Sequence, residues 1–223
     1  MRMLRLLAVM AAAGLVCGCE VTVKDGNGGA NQTGAANHAA PAPVLPPFPP
    51  AAIPERDRAR QEFQDLRFLV DKSDRKLSLF AGDRLIETHD VTVGTSEWPT
   101  KSGEWKIHRV DINPEWIPPK EETWTKDETR KAPGDPENPM GLARLQYDPL
   151  RSIHGTDETD KLGKRGSHGS IRVANQVVLA LAEKALKAGN AWQGSAWFEQ
   201  MASNRTREFK IELATPVPIT VQD

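Results

Sequence analysis

Two short segments hold most of the side chains that can do chemistry: Ile153-His154-Gly155-Thr156, and Ser167-His168-Gly169-Ser170-Ile171-Arg172. Two histidines, two serines, four glycines and Arg172 fall within residues 153–172. Glycine lets backbone approach a ligand closely, and a turn that runs into a helix leaves N–H groups free to hold an oxyanion or a carboxylate. Ser170 stands where a nucleophile would be exposed, His154 or His168 is the candidate base, and Arg172 is the candidate carboxylate clamp. These types in this order suit acyl transfer. The competing reading is a glycine-rich connection whose histidines lie on the surface by chance. A metal hydrolase would need His154, Asp157 or Asp160, and His168, but that spacing matches no zinc signature, so no metal and no cofactor is expected.

The elements that must position these residues are legible on either side. Period-2 alternation at Leu66/Phe68/Val70, at Leu77/Leu79 and over residues 85–93 predicts three strands of a meander with a Gly82-Asp83 turn. Residues 106–110 read as a further strand, and Phe209/Ile211/Leu213 and Val217/Ile219/Val221 as two more. Residues 55–65 predict a charged helical lead-in. After Arg172, Val178, Leu181, Ala182 and Ala185 recur at helical spacing, with Asn175 as the expected cap and Gly189 as the stop. A second helix is expected over residues 195–202. Residues 112–140 carry six prolines and predict a long irregular stretch of the kind that makes lids or binding loops. Within it, 120–131 read as a solvated charged loop. Trp98, Trp105, Trp124, Trp192 and Trp197 read as core or edge packing. The fold class expected is mainly β (α+β), with one or two packed helices.

Five segments, in order, resemble the L,D-transpeptidase catalytic domain of bacterial peptidoglycan synthesis, the YkuD domain. Val93-Gly94 followed by Pro99-Thr100-Lys101-Ser102-Gly103-Glu104-Trp105-Lys106-Ile107 is similar to the family's T-P-x-G-x-F/W-x-I strand. Asn113-Pro114-Glu115-Trp116-Ile117-Pro118-Pro119 resembles its N-P-x-W-x-x-P loop. Pro133-Gly134 with Asn138-Pro139-Met140-Gly141 resembles P-G…N-P-L-G, and the two segments above fall on H-G-T…S-H-G-C-I-R. The resemblance covers residues 66–221 and implies a YkuD-like β-sandwich acting on stem peptides of peptidoglycan. It also implies roles. His154 would be the general base, oriented by the Gly155 carbonyl. His168 with the Gly169 and Ser170 backbone would form the substrate-facing wall and oxyanion hole. Arg172 would meet a substrate carboxylate, Thr156 and Ser167 would support by hydrogen bonds, and Trp116 would belong to the loop that closes over the peptide. One departure is central: the family's nucleophile is the cysteine of S-H-G-C, and Ser170 stands there. Two outcomes stay open, a serine acyltransferase (transpeptidase or carboxypeptidase) and an inactive peptidoglycan-binding lipoprotein of the same fold.

The rest of the chain sets the context. Among 223 residues, 29 Lys+Arg against 30 Asp+Glu give a net charge of −1, which offers nucleic acid no electrostatic footing. The only cysteines are Cys17 and Cys19. Arg2 and Arg5 precede the apolar run 6–16, too short to span a bilayer and of signal-peptide character. Val16-Cys17-Gly18-Cys19 resembles a lipoprotein processing site, with Cys19 the acylated residue. Removal of residues 1–18 and acylation of Cys19 leave no free thiol for a disulfide, a metal or a nucleophile. Residues 20–54 contain four Gly, seven Pro and eight Ala and cannot bury enough apolar surface to order themselves. The organisation expected is a signal peptide at 1–18, a lipid-anchored linker at 19–54 and a catalytic domain at 55–223. The protein is expected to be a monomer in the periplasm, held to a membrane by Cys19.

Overall fold

The computed structural model describes residues 54–120 and 122–223, so the signal, the Cys19 anchor and nearly all of the linker lie outside the described residues. The helical lead-in is α1 (Glu55–Glu62). The meander follows as β1 (Leu66–Asp71), β2 (Lys76–Ala81) and β3 (Arg84–Asp90). Alternation sets its register: Phe68 faces Leu79 and Val70 faces Leu77, and all four side chains are buried. The expected strand over 85–93 divides. After β3 the chain leaves β2, and Val93–Gly94 form β4 in a separate two-stranded sheet with β8 (Arg165–Ser167).

The main sheet continues with β5 (Gly103–Ile112), β6 (Ala143–Gln146), β7 (Ser152–Thr156), β9 (Ile171–Ala174) and β10 (Phe209–Gln222), in the order β3-β2-β1-β10-β5-β6-β7-β9. The two tail runs are one strand, β10, with a register shift between Glu212 and Val217. Pro216 lies in that irregular piece and has no N–H to give a ladder, while the Thr215 N–H turns to the Gly189 carbonyl at 3.0 Å. Thr92, two residues beyond β3, exchanges both backbone hydrogen bonds with Arg172 in β9, each at 2.9 Å. The segment that leaves the β3 edge is thereby tied to β9 at the opposite edge of the eight-stranded sheet.

The helix α2 (Asn175–Ala188) packs against β6 and β7 and buries Val178, Leu181, Ala182, Ala185 and Leu186. Its ends differ from expectation. Ala174 occupies the cap position without a side-chain cap, and Asn175 is the first helical residue, its side chain engaged elsewhere. Gly189 ends the helix at φ −74°, and Asn190 takes the left-handed conformation at φ 56°. Gly189 is needed instead for space, since a Cβ there would sit 2.8 Å from Leu213 Cδ2. The second helix, α3 (Ser195–Ser203), buries Phe198 and Met201 beside Trp192 and Trp197. The mainly-β architecture with packed helices is the one expected, and among the described residues no helix is long and apolar enough to cross a membrane.

Candidate active site

β6, β7 and β9 lie side by side, and their ends, together with the 167–170 turn, form one wall of a cleft of about 430 Å³. The opposite wall is the proline-rich stretch after β5. Trp116, Pro119, Trp124, Ser167, His168, His154, Ser170 and Arg172 all line it. The residues singled out in the two motif segments are therefore brought together, Gly155, Thr156 and Gly169 as backbone and turn supports around the lining side chains.

His154 projects from β7 and is buried. Its Nδ1 lies 3.0 Å from the Gly155 carbonyl oxygen. A carbonyl only accepts, so Nδ1 carries the proton and the neutral ring keeps Nε2 as a lone-pair base. Burial, with the neighbouring Arg172 charge second, pushes the imidazole down to about 3, so the base is uncharged at neutral pH. Gly155 has no room for a side chain: a Cβ there would lie 2.2 Å from Asn175 Oδ1. That amide joins three segments. Asn175 Oδ1 accepts from the Leu142 N–H at 2.9 Å, and its Nδ2 donates to Asp157 Oδ1 at 2.6 Å. Thr156 is buried and accepts the Glu158 N–H at 3.1 Å, which fixes the turn that carries Glu158.

The 167–170 turn is tied by its own serine. Ser167 Oγ accepts from the Gly169 N–H at 3.2 Å and donates to the Ser170 carbonyl at 2.5 Å, with Gly169 left-handed at φ 99°. The Gly169 N–H is thus engaged within the turn. The Ser170 N–H makes no hydrogen bond among the described residues. Ser170 Oγ accepts from the Ser152 N–H at 3.4 Å, and no described hydrogen bond joins it to His154 or His168.

His168 is exposed rather than buried and stands in an aromatic column. Trp124 stacks on it at 3.9 Å and 11°, Trp98 meets it at 4.6 Å and 55°, and Trp116 stacks on Trp124 at 6.3 Å. Partial desolvation, then Arg172, lowers its pKa. Trp124 is therefore a cleft residue rather than plain packing, with Trp98 packed on His168 behind it, and the 122–131 segment holds Trp124 over the cleft. Thr125 Oγ1 closes that segment on the Pro119 carbonyl at 2.6 Å, and Trp116 and Lys131 exchange backbone hydrogen bonds at 2.9 Å. A stacked pair of this kind contributes about 0.5–1.5 kcal/mol beyond its burial. Trp192, by contrast, is core, as expected.

Arg172 is largely buried; its Nη1 donates to Glu158 Oε2 at 2.9 Å, while its Nε is buried without a partner. Glu158 also pairs with Lys161, and that hydrogen bond holds its carboxyl below the usual range. Arg172 lines the cleft with an internal carboxylate already on one of its nitrogens. Among the lining residues that carried no motif signal are Arg144, Arg151 and Gln146. Arg144 donates through Nε to Asp111 Oδ2 at 2.8 Å. Strand register alone reveals it, because Arg144 stands directly across from His154. No group of three or more His, Cys, Asp or Glu among the described residues is arranged to hold a metal ion.

Comparison with known proteins points to the same family. The chain is 32% identical over 133 residues to "Probable L,D-transpeptidase YbiS" of Escherichia coli (strain K12), covering 52% of this chain and 44% of that protein. It is 26% identical over 160 residues to "Probable L,D-transpeptidase ErfK/SrfK" of Salmonella typhimurium, covering 63% and 52%. The chain thus spans about half the length of these curated relatives. A solved structure, the catalytic domain of the Enterococcus faecium L,D-transpeptidase, superposes with a TM-score of 0.45 at 16% identity, over 71% of this chain and 98% of that one. The family described as the L,D-transpeptidase catalytic domain (YkuD) matches residues 65–219. That span runs from the residue before β1 into β10 and takes in every strand of the sheet, and by it this chain belongs to the L,D-transpeptidase catalytic-domain family.

Proposed function

We propose that this chain carries out L,D-transpeptidase-like acyl transfer on peptidoglycan stem peptides, with Ser170 as the nucleophile. The observation that carries this reading is a neutral histidine, its Nδ1 on the Gly155 carbonyl, in the same cleft as Ser170 and Arg172. Ser170 Oγ attacks the carbonyl that joins the L-centre of diaminopimelate to the terminal D-Ala, and its proton passes to His154 Nε2. The oxyanion meets the Ser170 N–H. His154 returns the proton to the departing D-Ala nitrogen as the C–N bond breaks, leaving an acyl ester on Ser170. A second stem's amine then attacks the ester and regenerates the hydroxyl; water in its place gives carboxypeptidase activity. An alcohol must lose its proton during attack, whereas a thiol near pKa 8.5 is partly ionised beforehand, so serine depends more on the base.

A second reading has its own observation. Ser170 Oγ accepts from the Ser152 N–H and is bonded to neither histidine, which favours a chain that binds stem peptides without turning them over. In either case the chain acts as a lipoprotein on the periplasmic side of a membrane, with acylated Cys19, a tether over 19–54 and a monomeric domain over 55–223.

Incubation with disaccharide-tetrapeptide, followed by intact mass and product analysis, separates the two. Loss of D-Ala or a cross-linked dimer, absent in Ser170→Ala, supports the serine acyltransferase. No turnover in the native chain but turnover in Ser170→Cys identifies a binding protein on an intact scaffold.

A further inference from the structure

Four residues in register across four strands make a charged row through the cleft. Asp111 on β5 pairs with Arg144 on β6, Arg144 with His154 on β7, and His154 with Arg172 on β9. Residues paired in register project to the same face, so the imidazole has a guanidinium on either side. Asp111 is fully buried and holds Arg144 through Nε at 2.8 Å and Nη2 at 2.6 Å. The same carboxylate is already met by Arg109 at 2.9 Å. Arg144 also lies 3.9 Å from Glu208, which Lys210 meets at 3.0 Å. Arg109 also lies 4.0 Å from Glu212, so three cations face three carboxylates behind the cleft. Both Arg109 and Arg144 meet Asp111, and of the two Arg144 is the one that reaches the lining. The cleft lining as a whole carries Lys120, Arg144, Arg151 and Arg172 against Glu122 alone, in a chain of net charge −1.

We propose that Arg144, oriented by Asp111, reads a second carboxylate, so that the cleft selects an acyl donor with a free carboxylate on each side of its scissile carbonyl, one meeting Arg172 and the other Arg144. This rests on the acyl-transfer reading above. Arg144 and Arg172 stand two strand spacings apart, about 10 Å between backbones. In a stem tetrapeptide the terminal carboxylate and the diaminopimelate side-chain carboxylate are separated by about nine bonds, on the order of 10 Å when extended. The scissile carbonyl lies between the two carboxylates, as His154 lies between the two arginines. Planar guanidinium forks suit such carboxylates, and Arg144 keeps Nη1 outside its bonds to Asp111.

The test is calorimetric titration of the whole chain with three synthetic tetrapeptides: the diacid, its side-chain amide and its terminal amide. The native chain is expected to bind the diacid at least tenfold more tightly than either amide. In Arg144→Gln one of the two amide penalties disappears and the other persists, and Arg144→Lys restores part of the lost discrimination. The amide series needs no variant, so a fold defect in Arg144→Gln does not blunt it. Equal binding of diacid and amides by the native chain overturns the proposal, as does an Arg144→Gln chain that keeps both penalties or loses both together. A folded native chain that binds none of the three peptides overturns the peptidoglycan reading itself, and this inference falls with it.

Discussion

Replacing His154 by Gln tests whether the base is held uncharged by burial. In the folded chain its pKa is about 3 against an ordinary 6.5, with burial the main cause and Arg172 the next. In the unfolded chain the ring returns to 6.5 and takes up a proton as the pH falls. Between 6.5 and about 3 the unfolded state binds one more proton than the folded state, so stability declines as pH falls through that window and is fully present above it. Each pH unit corresponds to about 1.4 kcal/mol once well below 6.5. At pH 5 the loss relative to pH 8 is about 2 kcal/mol. Urea unfolding of native and His154→Gln chains at pH 8, 6.5 and 5 isolates this contribution, because the other titrating groups are common to both. The native chain should lose about 2 kcal/mol more than the variant between pH 8 and 5, on the order of 4–8 °C in Tm for a domain of this size. Parallel pH curves for the two chains would show that His154 is solvated or protonated in the fold, and the neutral-base argument would be lost.

Trp124→Ala removes the ring stacked on His168 at 3.9 Å; peptide binding should weaken about 2- to 10-fold, the equivalent of 0.5–1.5 kcal/mol, with stability nearly unchanged, and titration beside a melting curve checks both. Gly155→Ala drives a methyl to 2.2 Å from Asn175 Oδ1, and overpacking together with disturbed hydrogen bonds should cost about 2–4 kcal/mol, read as a lowered urea midpoint; an unchanged midpoint refutes the packing argument. Asn175→Ala leaves the Leu142 N–H without its acceptor and should cost about 1–3 kcal/mol by the same assay.

The strands that alternate strictly were legible because one face of each is buried: Phe68, Val70, Leu77 and Leu79 declare their side by spacing alone. β7 was not, since Ser152, Ile153, His154, Gly155 and Thr156 are buried without alternation, covered by α2 on one face and by the cleft wall on the other, and β6, though it alternates, is only four residues long. The motif glycines pointed to close approach, and Gly155 against Asn175 is such an approach. Asn175 has the residue type of a helix cap, yet it is the first helical residue and its amide serves Leu142 and Asp157, contacts that no local rule contains. Trp124 sits in a segment whose charges suggest solvent, and only the fold brings it onto His168. Arg144 is invisible for a different reason. Its meaning lies in strand register, which depends on the turn between β6 and β7 as much as on Arg144.

That register bears on what Ser170 can do. Proton transfer from Ser170 Oγ to His154 creates an imidazolium between two guanidiniums, in a buried site where charge is already disfavoured. A preformed ion pair, which a cysteine would use, faces the same opposition before any ligand arrives. A carboxylate on Arg172, and a second on Arg144, would reverse the sign of the field at His154 and favour the charged ring. The base is then strong enough only when an anionic donor occupies the cleft. This makes a specific demand on the nucleophile comparison: Ser170→Cys should show no exceptional thiol reactivity in the free chain, measured by alkylation at neutral pH, and should gain it when the diacid is bound. Rapid alkylation of the free variant would mean that the row does not suppress the imidazolium, and that the electrostatic account of the site is wrong.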